Sequence, residues 1–177
     1  MRITELNYKN FLELEPTFLS LDISVRSTGW VLSTDKNISF GINSLKVEDE
    51  LGRRLEFRTF LLDLIGNKHI PVIFVEDVYG GVNFKTVKGL IQLNTIVDDL
   101  KADKLILVEA IKRIDNKKWK KYLKQAANYK LGAEKNDKEI VTSCLNELGF
   151  NLEVKQDVYD ALGMAVGVIY KDKVLKV

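Results

Sequence analysis

Residues 18–45, FLSLDISVRSTGWVLSTDKNISFGINSL, decide the fold of this chain. Phe18 to Ile23 is apolar and β-like, with Asp22 inside it. Ser24 to Ser27 reads as a turn, and Gly29 to Ser33 as a second strand. Asp35 to Asn37 reads as a tight turn and Ile38 to Leu45 as a third strand. Three strands joined by short turns make an antiparallel meander. A charge in the middle of an apolar strand is costly unless it is paired or binds a cation. Asp22 is therefore the first candidate functional residue. The plainer alternatives are a pair with Arg26 or a turn cap.

Beyond the meander the hydrophobic period changes. Leu51, Leu55, Leu62 and Ile65 recur at helical spacing within 47–67, and Gly66-Asn67 would stop that helix. Pro71 to Val75 is a continuous apolar run, as expected of a strand covered on both faces. Residues 84–101 are helical again, with Val87, Leu90, Ile91, Val97 and Leu100 inside, and Leu105 to Val108 reads as a fifth strand. Helices are expected over about 116–126, 137–148 and 156–170, the second capped by Asn136 or Asp137. Residues 1–17 have no clear period and read as an N-terminal extension to one domain, 18–177. The order predicts an α/β fold. Three antiparallel strands plus two parallel ones make a mixed five-stranded sheet flanked by helices, the ribonuclease H-like layout.

Composition narrows the function classes. The chain has 177 residues, 46% hydrophobic and 29% charged, with two prolines and 11 glycines, so it can build a core and has no linker composition. Its first ten residues mix both charge signs and lack the apolar centre of a signal peptide. The longest apolar stretch, Ala161 to Tyr170, is too short to span a bilayer. Cys144 is the only cysteine, which excludes a disulfide framework and a cysteine-rich zinc site. A reducing cytoplasmic setting, with no membrane association, is the expectation. Net charge is +2, yet Ala110 to Lys138 carries ten Lys/Arg against three Asp/Glu, leaving the remainder at −5. A basic block on an acidic domain suits a polyanionic partner, against the plainer alternative of a solvated helix face.

Three further acids join Asp22. Glu76 ends the apolar strand run, where α/β proteins place ligand sites. Asp157 and Asp160, three apart at the start of an apolar helix, share one helix face. Taken singly, each is explained as well by capping, pairing or the helix dipole. In a ribonuclease H-like sheet the four positions converge. Oxygen-only ligands suit Mg²⁺, with Mn²⁺ the alternative, and not zinc. Two such ions can drive in-line phosphodiester hydrolysis. His69 is the only histidine, so a histidine-based triad or metal cluster has little to build on.

Three segments carry a family resemblance. Leu21-Asp22-Ile-Ser-Val-Arg26-Ser-Thr28-Gly29-Trp30 resembles the first motif of RuvC-type Holliday-junction resolvases. Val75-Glu76-Asp-Val-Tyr79 is similar to their second, and Asp157-Val-Tyr-Asp160-Ala161-Leu162-Gly-Met-Ala165 to their last. The resemblance covers about Phe18 to Tyr170 and implies a homodimeric endodeoxyribonuclease that cuts four-way junctions and other branched DNA. It implies Asp22, Glu76, Asp157 and Asp160 as ligands of two Mg²⁺ ions per active site, with Lys120 and Lys138 as catalytic lysines. Tyr79 matches an aromatic that contacts bases at the junction centre. Arg26, Lys85, Lys117, Lys118, Lys120, Lys121 and Lys138 are the expected DNA contacts, and helix 84–101 the dimer-forming element. Leu93 and Ile96, off the Val87–Leu90–Ile91 stripe, suggest a second buried surface on that helix.

The first motif departs from the family, with Ile23-Ser24 where Pro-Gly is usual, so the turn should differ. The basic block is also longer, and the Lys/Asn/Ile-rich composition points to a phage of an A+T-rich host, acting in the host cytoplasm. The competing functions are a catalytically inactive nucleic-acid-binding module and an RNA-processing nuclease of the same fold. The Asp22 to Gly29 spacing also resembles the first phosphate loop of actin-like ATPases. Those need two such domains and a glycine-rich loop, so no nucleotide cofactor is expected.

Overall fold

A computed structural model of the chain describes residues 10, 11, 13, 17–34, 37–78, 83–129 and 136–174. The meander forms as expected: β1 (Phe18–Ile23), β2 (Ser27–Thr34) and β3 (Asn37–Ser44) pair antiparallel. β4 (His69–Glu76) pairs parallel to β1, and β5 (Leu107–Ile114) parallel to β4, giving the order β3-β2-β1-β4-β5. This is the ribonuclease H-like sheet that the sequence predicts. Helices α1 (Glu50–Ile65), α2 (Phe84–Ala102), α3 (Asn116–Ala126), α4 (Asp137–Glu147) and α5 (Gln156–Ile169) cover it, the last followed by a π-helical turn, Tyr170–Val174. Among the described residues no helix is long and apolar enough to cross a membrane.

Strand alternation sorts the core into two layers. On one face Leu19, Leu21 and Ile23 of β1 pack with Phe57, Leu61 and Ile65 of α1 and with Leu93, Val97 and Leu100 of α2. On the other, Phe18 packs with Phe74, Trp119, Val141 and Leu162, from β4, α3, α4 and α5. Phe11, ahead of β1, is buried in this second layer with its ring edge-on to Phe18 and Phe150. Asp22 follows Phe18 and Ser20 in the alternation, so it faces the second layer. Ser20 donates to the Ala161 carbonyl at 2.6 Å and ties β1 to α5.

The start and stop chemistry of the helices follows the sequence. Asp49 caps α1 by accepting from the Gly52 amide, and Gly66, at φ 54°, closes it. Asn136 and Glu139 form a reciprocal capping box on α4. Every residue of α5 from Ala161 to Ile169 is buried, which requires an apolar helix all round. Its glycines let α3 lie close: a Cβ on Gly167 would sit 2.6 Å from the Trp119 carbonyl oxygen.

Three expectations are corrected. The buried row of α1 is Phe57, Leu61 and Ile65, whereas Leu51 and Leu55 are 62% and 55% exposed. Apolar residues occupy two rows of this helix, and periodicity does not say which one meets the sheet. On α2 Val97 and Leu100 are buried as expected, as are Leu93 and Ile96, but Ile91 is exposed. The fifth strand lies at 107–114 instead of 105–108. Leu105 instead belongs to the turn that ends α2, its amide bonding to the Leu100 carbonyl. β5 is an edge strand, and Glu109, Lys112 and Arg113 break its apolar run, which hides it from a search for apolar runs.

Candidate active site

The sheet register brings the first two acids side by side. Leu21 of β1 lies opposite Val75 of β4, so the next residues, Asp22 and Glu76, are neighbours on the face covered by α3 and α5. Both line a cavity of about 510 Å³, together with Asp77, Asp115, Asn116 and Lys117.

The last helix delivers the other two. On β2, Gly29 lies opposite Asp22, and an ideal Cβ there would fall 2.1 Å from the Asp157 carbonyl oxygen. Only a residue without a side chain lets the start of α5 come this close. Ser27, at the start of the same strand, donates from Oγ to Asp157 Oδ2 at 3.0 Å. Ser24 shapes the turn before it, its amide bonding to the Ser27 carbonyl and its Oγ accepting from the Ser27 amide. At the start of α5, Gln156 donates to Oδ1 of Asp160, one turn further on, at 3.0 Å.

Glu76 is held from α3. The Trp119 indole Nε1 donates to Oε2 at 3.2 Å, and the Asn116 amide donates to Oε1. Asn116 and Trp119 are three residues apart and share a helix face. Sequence reading missed both, along with Ser27 and Gln156. Asn and Trp inside a lysine-rich segment have no local signature, whereas Ser27 lay within the quoted first motif and could have been singled out.

The four acids feel one another. Burial pushes the Asp22 carboxyl up from 3.8 to about 7, reinforced by the charges of Asp160, Glu76 and Asp157 in that order. Burial also raises Asp160, against the opposing hydrogen bond from Gln156 and the charge of Lys120. Lys120 is the cation that opposes the shift at both acids. It lies over the Trp119 ring and reaches Asp137 Oδ2 at 3.1 Å. Among the described residues no three acids yet converge at ligating distance. The donor set nevertheless fits a hard divalent cation. All four donors are carboxylates, and the charge they gather stays under-neutralised by one lysine.

The remaining expected site residues are spread around this centre. Lys117 lines the carboxylate cavity and, with Lys120 and Lys121, an adjacent cleft on α3. Lys118 is exposed on the same helix. Arg26 and Lys85 line a small cavity of about 220 Å³ near the start of α2. Lys138 is exposed on α4 and, among the described residues, makes no hydrogen bond or ion pair to the acids, but it lines a cleft with Gln156, the residue that holds Asp160. Tyr79 lies outside the described residues. Arg26 makes no ion pair with Asp22 among the described residues, and His69 meets Glu109 across β4 and β5 at 3.0 Å, far from the acids in the strand direction.

The sequence matches no protein-family model and no curated protein. Solved structures do resemble the chain. Thermus thermophilus RuvC in complex with a Holliday junction substrate superposes with a TM-score of 0.63 at 11% identity, covering 88% of this chain and 95% of that one. The yeast mitochondrial Holliday junction resolvase Ydc2 gives 0.61 at 14% identity, over 96% of this chain and 87% of that one. At such identities the likeness establishes a shared fold.

Proposed function

We propose that this chain is a metal-dependent, structure-selective DNA endonuclease that resolves four-way junctions, and other branched DNA, by phosphodiester hydrolysis. The observation that carries this is the gathering of four acids, from β1, β4 and α5, on one sheet face beside the lysine-rich α3. The fold shared with two junction resolvases, one of them solved on a junction, supports the choice of substrate.

Asp22, Glu76, Asp157 and Asp160 would hold Mg²⁺, or Mn²⁺ in its place, with two ions per site. When bound, such ions supply an activated water and neutralise charge on the leaving oxygen. The chain's own residues orient that chemistry. Asn116 and Trp119 fix both oxygens of Glu76, while Ser27 and Gln156 fix Asp157 and Asp160. Lys120 faces the acids and neutralises the phosphate as charge develops on it. Lys117, Lys118 and Lys121 bind the phosphates of the approaching strand. Arg26, Lys85, Lys138 and Tyr79 extend the contact beyond the cut. The protein acts in the host cytoplasm, without a nucleotide cofactor.

A homodimer would bring two such sites to opposite strands. It is supported by the outer surface of α1 and α2, where Leu51, Leu55, Ile91 and Phe84 are exposed, Phe84 to 82%. Glu50 bridges these two helices through Lys88 and Gln92. Exposed apolar groups concentrated in this way mark association surfaces.

The test is cleavage of a synthetic four-way junction in Mg²⁺. Paired incisions at symmetric positions, with linear duplex of the same sequence left intact, are expected. Equal cutting of the linear duplex, or cleavage undiminished in Asp22→Asn, would overturn the proposal.

A further inference from the structure

The cavity that holds Asp22 and Glu76 is not the most spacious on this face. An open cleft of about 770 Å³ lies along α3, and it shares Asn116 and Lys117 with the carboxylate cavity. A strand leaving the acids therefore enters this cleft next. We propose that the cleft is a subsite for an unpaired nucleotide of the DNA strand being cut, adjacent to the scissile phosphate; this presupposes the nuclease function proposed above.

The lining is more varied than phosphate binding requires. Lys117, Lys121 and Lys124 follow one another at helical spacing and form a cationic ridge for the backbone. Gln125 and Asn128, both exposed at the end of α3, bring amides that donate and accept together. A phosphate only accepts, whereas the edge of a base does both, as an amide does. Tyr129 and Tyr170 line the same cleft and pack partly against the core, so their rings are already ordered. Aromatic rings held in this way bind bases by stacking, whatever the sequence.

Charge orients the occupant. Asp137 also lines the cleft, tied to Lys120. A carboxylate there repels a phosphate, which leaves the lysine ridge for the backbone and the remaining lining for the base. A base inside a duplex stays in its stack and cannot enter such a concavity; an unpaired or splayed base can. The cleft would thus favour cutting where a nucleotide beside the scissile phosphate is unpaired, as at a branch point.

The full-length protein should be tested on two duplexes of one sequence, one fully matched and one with a single bulged nucleotide carrying a fluorescent adenine analogue. The wild type should bind the bulged duplex about tenfold more tightly, a difference within the range of one stacked base, and should change the analogue's fluorescence. Tyr129→Leu should abolish both effects. So should the double variant Gln125→Ala/Asn128→Gly, since both positions are exposed and glycine accepts the left-handed backbone of Asn128, at φ 50°. Affinity for the matched duplex and its salt dependence should stay as in the wild type. A wild type that does not distinguish the two duplexes, or variants that weaken both equally, would overturn the subsite. Failure to cleave four-way junctions with the bulge preference intact would instead overturn the nuclease function and leave the nucleotide subsite standing.

Discussion

Asp22 shows how far one residue can be read in advance. A carboxylate inside FLSLDI is conspicuous because the strand offers it nothing to pair with. In the fold its carboxyl titrates at about 7, against 3.8 for the free side chain, because burial and three neighbouring acids disfavour its charge. A carboxyl whose folded pKa is raised stabilises the fold while it is protonated. That contribution is complete below 3.8 and lost as pH rises through about 7. Between about pH 5 and pH 8 the metal-free protein should lose roughly 2–3 kcal/mol through Asp22. Asp22→Asn should remove this loss, and melting curves in chelator at the two pH values would show it as a flatter dependence than in the wild type. Added Mg²⁺ should then raise the melting temperature of the wild type at the higher pH and leave that of Asp22→Asn nearly unchanged. Equal pH dependence in the two proteins would mean that Asp22 does not carry the cost of ionisation assigned to it. The residues that orient the acids were harder to see. Trp119 in KKWKKY reads as an ordinary core anchor of a basic helix, and only the fold turns its indole nitrogen toward Glu76. Trp119→Phe keeps most of the packing and removes that donor. We expect a fall in kcat of about tenfold with little change in junction affinity, the loss of about one charge-assisted hydrogen bond. A change in affinity alone would assign Trp119 to binding instead.

At the scale of elements, α5 and β2 act as one unit. Their contact was legible only in part: the Thr28-Gly29 pair and the Asp157–Asp160 spacing both stood in quoted motifs, but nothing in either stretch shows that Gly29 receives the start of α5. The meander and α3–α5 were legible because their apolar patterns agree with the elements they form, with Asn136 capping α4 as its sequence suggests. The inward rows of α1 and α2 were not, because both helices carry apolar residues on more than one side and tertiary contact makes the choice. β5 is hard to place for the opposite reason, since Glu109, Lys112 and Arg113 interrupt this edge strand and leave no long apolar run. The unit makes its own prediction. Gly29→Ala puts a methyl group where the Asp157 backbone lies, so α5 must shift outward or the strand must bend. Overpacking of this kind costs about 1–3 kcal/mol. Because the shift moves Asp157 and Asp160 together, cleavage should fall by more than tenfold while the far-ultraviolet spectrum stays native. Gly41→Ala serves as the comparison: it meets the Trp30 ring, away from the acids, and should lower stability without a matching loss of cleavage.

For the whole molecule, the proposed function raises the question of how one face carrying the acids could cut two strands. The acids and α3 lie on one side of the sheet, and α1 and α2 on the other. An interface through α1 and α2 would therefore leave both active faces of a dimer free for DNA. The apolar groups exposed there are not needed for the core, which α1 fills with Phe57, Leu61 and Ile65 and α2 with Leu93, Val97 and Leu100. A charge placed among them should separate the protomers without unfolding either. Leu55→Glu and Phe84→Glu, both at exposed positions, are expected to convert a dimer to a monomer in sedimentation or light scattering. The effect on chemistry follows from the geometry. Each monomer keeps its acids, so single incisions in a junction should continue, but paired incisions within the lifetime of one complex should become rare. On a supercoiled plasmid carrying a cruciform, the wild type should yield linear product directly, and the variants should yield nicked circles first. Linear product formed by a variant that is monomeric at the assay concentration would show that one chain cuts both strands in turn, and that the exposed face of α1 and α2 serves another purpose.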